Sequence, residues 1–333
     1  MQAILAVTLP FFALVLCGYL AARRGLLAES AIPGLNGFVL FFALPCMLFR
    51  FGMNTPVLEL LNPTVLGVYI AAQLLLVFFT IALTLSAHIT LKDAAFGALV
   101  AAFPNTGFMG VPLLVALLGA AAAGPVITTV LADLFITSSL CIALARAHEA
   151  LQDSSQAADE HAGGKAARQA AVQALRGALS NPLPWSIALG ALASLLQLRL
   201  PGPLDSVVKM LADAATPVAL FTIGAVLWRA GQHAHTRTPV ELFLPVALVK
   251  LFVHPALVFA LGASAHALGA PLSSFQLLML TLAAALPSAS NVSLLAERYG
   301  ADNGRVARII MASTTLAFVS FTGLAWLLGA KPH

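Results

Sequence analysis

The chain has 333 residues, of which 60% are hydrophobic and 9% charged, with a formal net charge of +4 and a mean hydropathy of +0.95. A soluble domain carries about 25% charged residues, so this chain lacks the charge to cover the surface of a soluble protein. No basic cluster is interleaved with aromatic residues, which leaves nucleic-acid binding without support.

Uncharged stretches run over residues 64–87, 119–132, 251–296 and 309–330. About 20 apolar residues cross the hydrocarbon core of a bilayer. The stretch 251–296 is too long for one crossing and too apolar for a soluble loop. In chain order the sequence reads as ten spans, roughly 3–22, 33–51, 64–88, 94–119, 125–146, 182–199, 205–228, 239–265, 272–297 and 305–328. The first carries no charge over residues 2–22 and is followed by Arg23-Arg24. That order is the reverse of a secretory signal, so a retained span with its N-terminus outside is expected.

Between the fifth and sixth spans lies a hydrophilic segment with His148, Glu149, Asp153, Asp159, Glu160, Lys165, Arg168 and Arg176. It has too little apolar area to fold alone. The chain therefore divides into a first five-helix repeat (1–147), a linker (148–180), expected to be helical in part from 165 to 178, and a second five-helix repeat (181–333). With the N-terminus outside, 12 of the 17 Lys and Arg fall on the inner side. Arg50, Arg199, Lys209 and Lys331 fall outside, and Lys250 lies within a span. Basic residues concentrate in cytoplasmic loops, which puts both termini outside the cell membrane and the linker in the cytoplasm.

The two halves repeat. Pro10 and Gly18 in the first span match Pro182 and Gly190 in the sixth at an offset of 172 (182 − 10), and Pro45 matches Pro217 at the same offset. Pro63 and Pro239 open the third and eighth spans, and Ala102-Phe103-Pro104 matches Ala285-Leu286-Pro287. Five spans is an odd number, so the second half must enter the membrane from the opposite side. Such an inverted repeat is frequent among secondary transporters.

The fourth and ninth spans carry the chemistry. The fourth contains Pro104, Asn105, Thr106 and Gly107, with Gly110 and Pro112 close behind; the ninth contains Pro287, Ser288, Ser290 and Asn291. Proline removes a helix donor and clashes with the carbonyl four residues back, glycine lowers helix stability, and Asn, Ser and Thr compete for backbone partners. Both helices are expected to break mid-membrane, where freed backbone groups must be buried in protein or line a wet cavity. Two breaks at equivalent repeat positions point to a substrate site rather than to kinks that only aid packing. Each break exposes a half-helix N-terminus carrying about +0.5 of a charge, which suits an anion.

Three further residues stand out. Lys250 lies mid-way along the eighth span with His254 one turn on, and Asp133 lies well inside the fifth. Ionisable groups at that depth are functional candidates by default. Lys250 is placed to pair with a substrate carboxylate or with Asp133, in a coupling role or as a purely structural pair. Asp213 is placed near the outer interface, and Gln73 and Asn36 read as interhelical hydrogen-bonding groups rather than ligands. Cys17, Cys46 and Cys141 read as small buried hydrophobes, and neither a metal nor another cofactor is implied. Gly163-Gly164-Lys165 lacks the spacing of a P-loop, and no HExxH, CxxC or GxSxG occurs. No enzyme chemistry is indicated, and transport would run on gradients.

The stretches Phe41–Phe49, Pro104–Pro112, Lys250–Pro255 and Leu286–Gly300 together make the chain resemble the auxin efflux carrier family, which spans plant auxin carriers and bacterial organic-acid permeases. The resemblance covers both halves. It implies an all-α polytopic fold like that of the bile acid sodium symporters, with helices 1, 2, 6 and 7 as scaffold and helices 3–5 and 8–10 as mobile core. The broken helices 4 and 9 would cross, with substrate held there at Pro104, Asn105 and Pro287 and the residues after it. Expected partners are a small organic anion, malonate or malate ahead of auxin-like acids, the lipid bilayer, and a second copy through the scaffold. Sodium-coupled import, or an anion channel or membrane sensor, are the alternatives.

Overall fold

The computed structural model describes residues 1–56, 62–154, 179–233 and 238–332, with 169, 172, 176 and 177 between them. All regular elements among these residues are helical; the extended pairings are two isolated bridges. In chain order the helices are α1 (Gln2–Arg23), α2 (Glu29–Asn54), α3 (Pro63–Thr84), α4 (Leu91–Ala102), α5 (Thr106–Leu118), α6 (Ala120–Arg146), α7 (Pro182–Leu195), α8 (Gly202–Gln232), α9 (Val240–Ala267), α10 (Ser274–Ala284), α11 (Asn291–Arg298) and α12 (Asn303–Leu327). Seven of these, α1, α2, α3, α6, α8, α9 and α12, are long and apolar enough to cross a membrane. The chain is an all-helical, multi-pass membrane protein. Helix continues from α6 to Ser154, so the segment read as a linker from 148 begins as helix. Most of that segment, including much of the helical stretch expected at 165–178, lies outside the described residues.

Helix starts follow local chemistry. Asn62 caps α3 by accepting from the amides of Thr64 and Val65, and Asn181 caps α7 through Leu183. Thr90 caps α4, Asp302 caps α12, and Ser273 with Gln276 forms a reciprocal capping box on α10. These side chains satisfy amides that have no partner inside the helix.

Several prolines act in a way that composition does not reveal. The i→i+5 turns Val39–Ala43, Thr106–Gly110 and Val249–Val253 each run into an X-Pro pair, at Pro45, Pro112 and Pro255. Proline cannot bond to the carbonyl four residues back and pushes it away. The helix widens by one residue at that point and continues, as π-bulges do. A fourth such turn, Asp133–Thr137, has no proline after it, and we have no physical account of it.

Two groups of helices pack against each other. Helices α1, α2, α7 and α8 form one, with α1 against α8 and α2 against α7 as its main contacts. Helices α3, α4, α6, α9, α10 and α12 pack chiefly among themselves. Glycines set the first group. A Cβ on Gly18 would collide with the carbonyl of Phe221, and one on Gly190 with the carbonyl of Phe49. One on Gly224 would collide with the carbonyl of Val15, and one on Gly52 would lie 2.9 Å from that of Ile187. Each contact has its counterpart at the offset of 172 seen in the sequence: 18 with 190, 52 with 224, 49 with 221, 15 with 187. Small residues let membrane helices approach at backbone distance, and here the close approach occurs twice in equivalent form.

Candidate functional site

Helices α4 and α10 both stop in the middle of their spans, as the Pro-containing sequences predict, and their breaks meet. The Asn105 amide donates to the Pro287 carbonyl at 2.8 Å, and the Ala289 amide donates to the Phe103 carbonyl at 2.9 Å. This is an antiparallel bridge between Pro104 and Ser288. Each extended strand end supplies the partner that the other lost on leaving the helix, which allows irregular backbone at membrane depth. Asn105 has φ −78° and ψ 54°, and the Thr106 amide reaches back to the Pro104 carbonyl at 2.8 Å. That is an inverse γ-turn, and it redirects the chain into α5.

The carbonyl ends of the two broken helices are also satisfied. The Gln73 side chain donates to the Ala102 carbonyl at 2.6 Å, at the end of α4. The Lys250 ammonium donates to the Ala284 carbonyl at 2.6 Å, at the end of α10. Gln73 lies on α3 and Lys250 on α9, and each caps the carbonyl end of one broken helix. A helix C-terminus carries about −0.5 of a charge, which a lysine complements directly.

The remaining buried polar groups attach to these caps. Asp133 is fully buried and accepts from Gln73 Nε2 at 2.6 Å and from Tyr69 Oη at 3.2 and 3.3 Å, with Thr106 Oγ1 at 3.5 Å. Lys250 Nζ lies 2.9 Å from His254 Nδ1, and the His254 ring packs beside Tyr69 at 6.2 Å between centroids. Asp133 and Lys250 therefore belong to one buried polar cluster. They form no direct ion pair among the described residues. The lysine donates to the helix end, and Asp133 is held by neutral donors, so the two charges share one cluster without touching.

Beside the crossing lies a cavity of about 90 Å³. Of the residues singled out in the sequence, Pro104, Asn105, Thr106, Gly107 and Asn291 line it. Pro287, Ser288 and Ser290 lie at the second break outside the cavity wall, and the Ser288 hydroxyl is buried without a hydrogen-bond partner. Asn36 from α2 and Asn181 at the start of α7 also line the cavity. The sequence reads Asn36 as an interhelical hydrogen-bonding group; it is instead a cavity residue, whereas Gln73 does bridge helices. The polar wall thus comes from both helix groups, and it carries no charged side chain.

The N-termini of α5 and α11 open at this crossing. Asn105 and Ser290 stand at their N-cap positions, and neither side chain caps its own helix. Both are residue types that normally do so. The first-turn amides of α5 find partial satisfaction: Met109 and Gly110 donate to the Asn105 carbonyl at 3.1 and 2.9 Å. That leaves the amides of Gly107 and Phe108, two residues on the cavity wall. The amides of Gly107 and Phe108, the two helix dipoles and four asparagine side chains surround this cavity with donors and with no formal cation among its lining residues.

Comparison with known proteins places the sequence among membrane transporters. The sequence pattern of the family described as "Membrane transport protein" matches residues 3–325. A protein of Rhizobium meliloti (strain 1021) named "Putative malonate transporter" is 32% identical over 338 residues, covering 100% of this chain and 98% of that protein. The "Uncharacterized transporter YfdV" of Escherichia coli (strain K12) is 26% identical over 321 residues, covering 96% and 95% of the two chains. A multi-pass helical chain whose sequence matches this family along nearly its whole length leads to one conclusion: the chain belongs to the membrane transport protein family, that of the auxin efflux carriers.

Proposed function

We propose that the protein is a secondary carrier of a small carboxylate, bound at the crossing of the two broken helices. The observation that carries this reading is the first turn of α5, whose Gly107 and Phe108 amides have no partner among the described residues and lie on the wall of a polar cavity, with Asn105 and Ser290 in capping positions but not capping. Those amides are donors held ready for an anion from outside the chain. The cavity sets the size. A water needs about 10–15 Å³ on this measure, so a cavity of about 90 Å³ has room for several water-sized groups, which suits a small acid such as malonate or malate. The relative named for malonate supports the same class.

The architecture in this reading is ten crossings in two inverted five-helix repeats, with α4–α5 and α10–α11 each counted as one broken crossing. The doubled glycine contacts and the doubled carbonyl caps support it. Helices α1, α2, α7 and α8 serve as scaffold, and the remainder moves as a core, elevator-like, carrying the cavity from one face to the other. Asp133 and Lys250 balance charge within that core. Both termini lie outside, and the linker lies in the cytoplasm, as the distribution of basic residues favours.

The test is uptake by the purified protein in liposomes, with radiolabelled malonate, malate and indole-3-acetate under proton, sodium and no gradients. Saturable uptake of malonate or malate, without uptake of indole-3-acetate, is expected. Absence of any carboxylate uptake under every gradient would remove the substrate class while leaving the fold intact.

A further inference from the structure

A second cavity lies at the other end of the same helices. Its volume is about 480 Å³, and its polar lining is Arg50 and Asn54 from α2 and Asp213 and Thr216 from α8. Pro112, Val115 and Ala116 from α5 close its floor. The smaller cavity touches α2 at Asn36 and α5 at Gly107. Asn36 and Arg50 are 14 residues apart (50 − 36), about 21 Å along a helix rising 1.5 Å per residue. The two cavities thus lie toward opposite ends of α2, with its π turn (Val39–Ala43) between them.

Arg50 lines this wider cavity opposite Asp213 and Thr216 of α8. Its Nη1 donates to Asp205 Oδ1 at 2.6 Å, and both side chains are part-exposed. Guanidinium carries five donors in a fork that matches a carboxylate. One is used, and no other partner of the Arg50 side chain is found among the described residues. A part-exposed ion pair contributes little stability, so Asp205 is a partner that an incoming anion can displace. Asp213 on the same wall offsets the positive charge, which makes binding weak enough for onward release.

We propose that this cavity is a second carboxylate station, in which the free edge of the Arg50 guanidinium takes the carboxylate of the transported acid in exchange for Asp205. The proposal rests on the small-carboxylate reading given above and extends it to a second site on the path. It makes Arg50 the residue that selects anions on that face and Asp205 the internal competitor.

Equilibrium dialysis of the detergent-purified protein with radiolabelled malonate, and separately malate, tests this. Four proteins are compared: wild type, the double variant Asn105→Ala/Asn291→Ala, that double variant with Arg50→Gln added, and wild type with Asp205→Asn. The double variant is expected to lose the tighter site and keep a weaker one. Adding Arg50→Gln weakens that remaining site by roughly 10–100-fold, the worth of one hydrogen bond to a charged group. Asp205→Asn tightens it several-fold, although it breaks the same ion pair. If Arg50→Gln and Asp205→Asn weaken binding alike, the pair is a structural strap and the station is refuted. If wild type binds and the double variant keeps no site, the crossing stands as the site and the station falls. If wild type binds neither acid, both readings fall together.

Discussion

Replacing Lys250 by methionine leaves an unbranched side chain one atom shorter and removes its donor and its charge. The Ala284 carbonyl would then face the protein interior with no partner, since Lys250 Nζ at 2.6 Å is the side chain that satisfies it and Lys250 is fully buried. An orphaned buried acceptor costs about 1–3 kcal/mol. The α10 C-terminus also loses its complementary cation, which is worth up to about 2 kcal/mol in partly buried sites. Asp133, in the same cluster, is left without a counter-charge. Together these amount to roughly 2–5 kcal/mol, against little gained from methionine packing. The assay is thermal unfolding of the purified protein in detergent, read as surviving monodisperse protein after heating, alongside liposome uptake. A melting midpoint lowered by several degrees and an uptake rate lowered more than ten-fold are expected, because the unpaired carbonyl lies two residues before Leu286-Pro287 and the crossing. Gln73→Leu should do the same at α4, and the two effects should not add, because the broken ends they cap are bonded to each other through Pro104 and Ser288. Wild-type stability and uptake in Lys250→Met would refute the idea that the carbonyl caps hold the crossing.

Gly224→Val places side-chain atoms against the carbonyl of Val15. It should destabilise the protein by at least about 1–3 kcal/mol, as overpacking does, in the same unfolding assay, while Gly34→Ala, where nothing lies within 4 Å, should leave the midpoint unchanged. Asn36→Ala removes a cavity donor that makes no hydrogen bond among the described residues. It should raise KM for malonate about ten-fold, the loss of about 1.4 kcal/mol, without moving the melting midpoint. Arg305 is buried and donates to the Leu242 carbonyl at 2.8 Å and to the Asp93 carbonyl at 3.0 Å. Arg305→Met should therefore lower the midpoint, since α4, α9 and α12 lose their shared tie.

The sequence made the spans legible because hydrocarbon imposes a length and a composition on every crossing. The breaks were legible because proline and glycine act locally: Pro104 and Pro287 disturb their own helices wherever those helices pack. Repeat offsets placed Pro10, Gly18 and Pro45 against their counterparts, and the structure turns the same offset into paired backbone contacts at Gly18 with Gly190 and Gly52 with Gly224. What the sequence did not carry was the identity of the cavity wall. Asn36 and Asn181 lie 69 and 76 residues from Asn105 (105 − 36; 181 − 105), and nothing in their local windows distinguishes a cavity residue from an interhelical one. The partner of Lys250 was equally hidden. Opposite charges suggested Asp133, but a helix broken at Ala284 presents a carbonyl of its own, and only the fold shows which acceptor is nearer. The π turns escaped because i→i+5 bonding follows from the clash of a proline with a turn already formed.

The central claim is that the acid sits at the crossing. Asn105→Cys in a background with Cys17, Cys46 and Cys141 replaced by alanine can be labelled in membranes with a small thiol-reactive reagent, with and without saturating malonate. The account requires malonate to slow labelling of the introduced thiol at the concentrations that saturate uptake. An unchanged labelling rate in protein that still transports malonate would place the substrate elsewhere and contradict it.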